Sequence, residues 1–397
     1  MKIAFVSTMN NDPWGGSEYL WSEAALRLVR AGHTVAASVP GWPRRAPQIA
    51  ALMKAGVKVK ERRITPDQLP PRSLKRVAML VFDPFIRQAF RQEFAGWLAQ
   101  TAPDLVCISN GSYADNMPVL ESCMAAGFPY VTVAHANAEH LWPDDGRARI
   151  ILELYRNARR AFFVSKANCR LLETQLGVQL TNAGIIRNPF NVRRDAAPPW
   201  PAHSEPVSLA CVARLDPSAK GQDLLLNVLA RDVWRPRPIR VSFFGQGRCE
   251  EGLRRLANRL QLQEKVNFCG STNDIEGIWA THHALVLPSR FEGLPLAIVE
   301  AMHCGRPAIV TDVAGNAEIV QDGATGFVAE APTERHLHEA MERAWNQRQN
   351  WQKIGAAAAR AIRELVPADA VGDFTQTLLD AAMDRPPTNE VVAENAG

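Results

Sequence analysis

Apolar residues recur along the chain in two alternating periods. Residues 3–6, Ile-Ala-Phe-Val, form a short uninterrupted apolar run, as in a strand buried on both faces. Asn10-Asn11-Asp12-Pro13-Trp14-Gly15-Gly16 reads as a turn. Leu20, Trp21, Ala24, Ala25 and Leu28 then share one helical face, and Gly32 is placed to end that helix before a second strand over 34–39. Strand, glycine turn, helix and strand make a βαβ unit. Further strands are predicted at 57–59, 105–109, 130–134, 161–164 and 185–186, with helical patterns between most of them. The stretch 74–98 reads as helix interrupted near Pro84.

The periodicity lapses over 188–201, where Asn188-Pro189-Phe190 leads to Ala196-Ala197-Pro198-Pro199-Trp200-Pro201; this proline-rich stretch reads as a linker. Strands resume at 208–212, 239–244, 266–268, 284–287 and 308–311, again alternating with helices. Helical patterns run from about 334 to 383 and a polar tail covers 384–397. The expected fold class is α/β, with two Rossmann-like, doubly wound domains over 1–195 and 196–366 and a C-terminal segment over 367–397. Such sheets bind ligands beyond the carboxyl ends of their strands, so the expected site is a cleft between the domains.

Composition removes several function classes. At 47% hydrophobic and 22% charged residues, the chain has the apolar content a core needs, which excludes a disordered protein. A net charge of +4 does not favour nucleic acid as a partner. Seven scattered cysteines without a C-x-x-C pair read as small buried hydrophobes in a reducing compartment. No leader-like or membrane-length apolar run is present, so a cytoplasmic protein is expected.

Four groups of residues could carry chemistry. Gly15-Gly16 opens a helix, whose N–H groups and dipole would suit an anion; a turn chosen for its backbone angles reads equally well. It is not the dinucleotide fingerprint, and neither is Gly245-Gln246-Gly247, whose third position is Glu250; an NAD-linked dehydrogenase is thereby demoted. Arg214 and Lys220 follow the first strand of the second domain and could neutralise a departing diphosphate, or be solvated surface cations. Glu292 lies in the loop after strand 284–287, and Glu300 about two turns into a helix starting near Pro295. Flanked by Ala297, Ile298, Ala301 and Met302, Glu300 needs a partner, either ribose hydroxyls or protein groups. His135 ends strand 130–134, where it is a structural hydrogen-bonder or a cleft residue.

In order and spacing these residues resemble the retaining glycosyltransferases of the GT-B fold, specifically family four (group 1). The resemblance runs from Lys2 to about Ala344. It is carried by Arg214…Lys220-Gly221, Glu292-Gly293-Leu294-Pro295, the Glu-x7-Glu spacing, Glu300-Ala301-Met302, and Gly315…Glu318-Ile319-Val320…Gly323…Gly326. Gly15-Gly16-Ser17-Glu18 is similar to the family's N-terminal glycine loop.

The resemblance implies roles. Arg214 and Lys220 would hold the donor diphosphate and Glu300 the ribose. Glu292 with the backbone of Gly293, Leu294, Pro295 and Leu296 would hold the transferred sugar. His135 would stand near the reacting centre, Gly16 near the diphosphate, and Gly15 and Gly245 would belong to the donor site. The last helices would cross back onto the N-terminal domain. Ala213 departs from the glycine of many members, and His135-Ala136-Asn137-Ala138-Glu139-His140-Leu141-Trp142-Pro143 departs on the acceptor side.

The implied partners are a nucleotide-sugar, UDP- or GDP-linked, and a glycan, lipid-linked or small-molecule acceptor. No cofactor and no metal are expected: two cations serve the leaving group, and no D-x-D carboxylate triplet is present. Retention without a placed nucleophile implies same-face substitution. Two rivals stay open, a sugar-nucleotide 2-epimerase and an inactive nucleotide-sugar-binding protein. The segment 72–87 is both basic and apolar. It reads as helix packed on the N-terminal sheet, so membrane association is not favoured.

Overall fold

The computed structural model describes residues 1–9, 13–62, 83–113, 115, 117–202 and 206–383, with the backbone alone for 83–87, 89 and 90. It divides into two compact units, the first made of Met1–Val164, Cys169–Pro189 and the residues from Asp369 on, the second of Ser165–Asn168 and Phe190–Ala368. The division falls at Pro189, inside the proline-rich stretch and ahead of position 195.

The first unit contains strands β1 (Lys2–Ser7), β2 (Thr34–Pro40), β3 (Lys58–Arg62), β4 (Leu105–Asn110), β5 (Tyr130–Ala134), β6 (Arg160–Phe163) and β7 (Ala183–Ile185). They form a parallel sheet in the order β3-β2-β1-β4-β5-β6-β7. Period two divides the apolar run of β1 between two cores. Ile3 and Phe5 pack with Leu105, Cys107, Val131 and Val133; Ala4 and Val6 pack with Val106 and Ile108 on the other face. The first core is covered by helix Gly16–Arg30 through Leu20, Trp21, Ala24 and Leu28, and by helix Ala370–Ala382 through Val371, Phe374 and Leu378. An Arg27–Asp369 ion pair and the Arg159 guanidinium on the Ala381 carbonyl tie that last helix down.

The second unit contains β8 (Val207–Val212), β9 (Ile239–Phe244), β10 (Val266–Gly270), β11 (Ala284–Leu287), β12 (Ala308–Thr311) and β13 (Gly326–Ala329), parallel in the order β10-β9-β8-β11-β12-β13. In each sheet the order reverses beside the unit's first strand, between β1 and β4 and between β8 and β11. Loops leaving those neighbours diverge and leave a crevice at the carboxyl edge.

Several elements differ from the sequence expectation. The edge strand β13 was not predicted, because Gly-Phe-Val-Ala is too short to show a period. A described helix spans Asp83–Thr101, with Pro84 in its first turn, where a missing N–H costs nothing; the part of the expected helical stretch before it, 74–82, lies outside the described residues. Residues 72–82 of the basic, apolar segment, turn residues 10–12 and the tail 384–397 lie outside the described residues. Cys249 and Cys269 are exposed, whereas the other five cysteines are buried. Among the described residues no helix is long and apolar enough to cross a membrane.

Candidate active site

At the carboxyl edge of the second sheet the β8 and β9 ladders continue past their strands. Ala213 N–H donates to the Phe244 carbonyl and Leu215 N–H to the Gln246 carbonyl, which carries Arg214 outward between them. Glycine makes this approach possible. A Cβ on Gly245, whose φ is +142°, would lie 2.1 Å from the Ala213 carbonyl oxygen. Gly245 thus packs loop on loop. Arg214 meets Asp216 at 3.5 Å and its side chain is 42% exposed.

The chain then makes one turn of helix, Pro217–Lys220, and reverses at Gly221 with φ +64°. A Cβ there would stand 2.0 Å from the Pro288 carbonyl oxygen, at the end of β11. This contact joins the loops after β8 and β11. Across it Lys220 Nζ donates to Glu292 Oε1 at 2.6 Å, and Ser289 Oγ donates to the same oxygen at 2.7 Å. Glu292 is 6% exposed, so its charge is matched at hydrogen-bond distance as burial requires. Lys220 is therefore not a solvated surface cation. Arg290 clasps Asp223 through both guanidinium nitrogens, at 2.6 and 2.9 Å, and its N–H donates to the Ala219 carbonyl.

Beyond Glu292, Pro295 precedes helix Leu296–His303. Gly315 N–H donates to the Gly293 carbonyl at 3.0 Å, and a Cβ on Gly315 would press on Leu294 Cδ1 at 2.7 Å. Among the described residues the N–H groups of Leu296 and Ala297 have no protein acceptor, leaving two helix-start donors beside Glu292. Glu300 lies in the second turn of this helix, which starts where the sequence placed it, beside Pro295. It is 4% exposed, and its Oε1 accepts from Asn191 N–H at 3.0 Å and Asn191 Nδ2 at 2.9 Å. Of the two partners open for Glu300, a protein group is thus present. Burial raises its carboxyl pKa and the two Asn191 donors oppose the rise.

In the first unit His135 follows β5 and is 8% exposed. Its Nε2 lies 3.1 Å from Ser109 Oγ, its Nδ1 lies 3.4 Å from Asn188 Nδ2, and its N–H donates to the Asn110 carbonyl. Burial lowers its pKa to about 4, which makes it a neutral imidazole near pH 7. Two residues on, buried Asn137 donates through Nδ2 to Gln175 at 2.9 Å. Gly15 precedes helix Gly16–Arg30 in an extended conformation open to any residue, so its backbone angles do not demand glycine.

Sequence reasoning passed over three groups here. Arg290 and Asn191 show no pattern, since their partners are distant in the chain. Glu18 had a signal: it falls three and seven residues before Trp21 and Ala25 on the apolar helix face, the same context that singled out Glu300. It is buried, accepts from Trp21 Nε1 at 2.9 Å, and burial raises its pKa to about 7. Nearby, buried Arg62 donates to the Ser38 carbonyl at 2.6 Å and to the Ser7 carbonyl.

Two parallel sheets, each flanked by helices and each reversing beside its first strand, make two Rossmann-like domains, the GT-B fold. The crystal structure of Anabaena Alr3699/HepE in complex with UDP and glucose has this fold, with a TM-score of 0.70 at 18% identity over 96% of this chain and 99% of that one. Residues 14–194 match the family model described as Glycosyltransferase Family 4, and residues 206–347 match that described as Glycosyl transferases group 1. The chain belongs to these glycosyltransferases. An uncharacterized glycosyltransferase of Haemophilus influenzae is 34% identical over 28% of this chain and 32% of its own length. The Escherichia coli UDP-Gal:alpha-D-GlcNAc-diphosphoundecaprenol alpha-1,3-galactosyltransferase is 39% identical over 18% of each. The chain thus spans a third or less of the length of these two curated relatives.

Proposed function

We propose that this chain transfers a sugar, with retention, from a nucleotide-sugar to an acceptor hydroxyl. The observation that carries the reading is the Lys220–Glu292 pair, 2.6 Å long, at the switch point of the second sheet, in the loop that leads to helix Leu296–His303. In this reading the glycosidic bond breaks toward the diphosphate, and charge grows on its leaving oxygen. Arg214 and Lys220 stabilise that charge, with no metal required. Glu292 and the backbone of Gly293, Leu294, Pro295 and Leu296 hold the transferred sugar. Glu300 takes the ribose through Oε2, which neither Asn191 bond uses. In the first unit, Gly15, Gly16 and the neutral His135 are the residues that the family resemblance assigns to the donor. A donor phosphate oxygen accepts the acceptor's proton, on the same face as the departing group.

UDP is the first donor nucleotide to test, since Alr3699/HepE is named in complex with UDP and glucose. A lipid-linked acceptor is the first acceptor to test, since the Escherichia coli relative is named for a diphosphoundecaprenol substrate. The deciding experiment is calorimetry with UDP on two variants. Glu300→Gln is expected to weaken UDP binding, whereas Glu292→Gln keeps it and loses transfer from a UDP-sugar. Equal loss of UDP binding in both contradicts the assignment.

A further inference from the structure

The segment that leads into the second unit is fastened to that unit along its length. The Phe190 ring stacks on the His303 ring with centroids 4.3 Å apart. Arg193 bonds Glu276 through its backbone N–H at 3.0 Å and through Nη2 at 2.9 Å. Arg194 donates to the Arg363 carbonyl at 2.6 Å and its own carbonyl accepts from Arg363 Nε at 2.9 Å. Farther on, Arg306 Nη2 donates to the Pro199 carbonyl at 2.7 Å. These contacts hold the segment without help from the candidate site. Asn191 is the exception, because it bonds Glu300.

The form of that bond is specific. Backbone and side chain of one residue both donate, and both donate to one oxygen. A carboxylate has about four acceptor directions, two on each oxygen. Here Asn191 takes those of Oε1 and none of Oε2. A glutamate side chain alone is a long rotor. This one is pinned at a single oxygen on a buried stretch, with Val299 and Ala301 beside it. The direction of Oε2 is thereby set before any ligand arrives, and a pre-set acceptor avoids an ordering cost on binding. A fixed carboxylate oxygen fits a pair of vicinal hydroxyls, each donating one hydrogen bond.

Resting on the reading in which Glu300 meets the donor ribose, we propose that Asn191 is a positioning residue for nucleotide recognition. It holds Glu300 by Oε1 so that Oε2 faces the ribose diol, and it thereby selects ribonucleoside over 2′-deoxyribonucleoside diphosphates. A second consequence follows from charge. Burial favours the neutral carboxyl of Glu300, and the Asn191 donors favour the carboxylate. A protonated carboxyl is a poorer acceptor for hydroxyls. Nucleotide binding therefore falls as pH drops through the Glu300 pKa. Removing the Asn191 side chain moves that fall to higher pH.

The test is calorimetry of the full chain with UDP and with 2′-deoxy-UDP, repeated across pH, for wild type, Asn191→Ala, Asn191→Ser and Glu300→Gln. Wild type is expected to prefer UDP. Asn191→Ala is expected to weaken UDP binding by about tenfold, the usual scale for a group that orients a ligand-binding residue, while 2′-deoxy-UDP changes little. The ratio between the two ligands then contracts and the acid limb for UDP moves up in pH. Asn191→Ser retains a hydroxyl donor and is expected to recover part of both effects; it makes the same comparison if the alanine variant does not fold. An unchanged ratio and acid limb in a folded Asn191 variant overturn the proposal and leave Asn191 as a linker anchor. If wild type and Glu300→Gln bind both ligands alike, the ribose reading of Glu300 fails first, and the positioning role falls with it.

Discussion

The two sheets share one strand order outward from their first strands, yet the polar groups of the two units are partnered differently. In the C-terminal unit the carboxylates have partners at hydrogen-bond distance: Glu292 with Lys220, Asp223 with Arg290, Glu300 with Asn191. In the N-terminal unit burial moves groups toward their neutral forms. The His135 pKa falls to about 4 and that of Glu18 rises to about 7, despite a nearby cation in Arg62. The difference teaches what sets a buried group's charge. A hydrogen bond alone does not settle it: Trp21 Nε1 on Glu18 and the Asn191 donors on Glu300 lower the carboxyl pKa, and burial, the larger effect in both, raises it.

The sharpest way to break this contrast is to remove the cation that holds Glu292. Lys220→Ala is expected to lower sugar transfer by about 10²–10³-fold, the usual scale for a transition-state charge partner. It also strands a buried carboxylate and lowers the melting temperature. Lys220→Met with Glu292→Gln is expected to recover stability but not turnover. Steady-state rates and melting curves on the three proteins check both halves; recovered turnover in the double variant would remove the cation from the mechanism.

Backbone approach separates the units next. Gly221→Ala is expected to cost roughly 3–4 kcal/mol, because a left-handed backbone and a clash with the Pro288 carbonyl add together. Gly32→Ala in the N-terminal unit, at φ +82° with nothing within 4 Å of the new Cβ, is expected to cost only about 1 kcal/mol. Urea midpoints of the two variants measure the gap, and equal costs would show that the β8–β11 contact is not tight.

Proton linkage sharpens the N-terminal half. Glu18 takes a proton near pH 7 when folded, against about 4.5 when solvated, so folding binds a proton in that window. Its contribution to stability is lost as pH rises from about 4.5 to about 7, by up to about 3 kcal/mol. His135 does the reverse: folded it stays neutral down to about 4, against about 6.5 in solvent, and its contribution is lost as pH falls through that window. In wild type the two slopes partly cancel. Glu18→Gln is expected to gain stability relative to wild type between pH 5 and pH 8, and His135→Asn relative to wild type between pH 6.5 and pH 4. Denaturant midpoints across pH decide, and parallel curves for wild type and Glu18→Gln would remove Glu18 from the account. The smallest expected effect is none. Excess EDTA is expected to leave transfer unchanged, whereas activity lost in EDTA and restored by magnesium or manganese contradicts the two-cation reading of Arg214 and Lys220.

Much of the second unit was legible because its signals are local. Strands 239–244, 284–287 and 308–311 match β9, β11 and β12 in their bounds, each a short apolar run between turn residues. Glu300 stood out as a carboxylate on an apolar helix face, and its burial follows from that face. Its anchor did not stand out, because nothing about Asn191 in its own stretch of chain marks it. Lys220 read alone resembled a surface cation, and only its partner distinguishes it.

By itself the sequence determined the alternation of strands and helices, the two-domain plan and the identity of the polar residues that lie at strand ends. Period and turn chemistry are properties of a few neighbouring residues, so they survive without the fold. Tertiary structure alone decided which of those residues meet. Lys220 and Glu292 are 72 positions apart, Asn191 and Glu300 are 109 apart, and Arg27 and Asp369 are 342 apart. Those pairings depend on β8 lying beside β11, and on the last helix returning to the first unit. Strand order and helix docking are set by the packing of whole apolar faces, which no local period encodes.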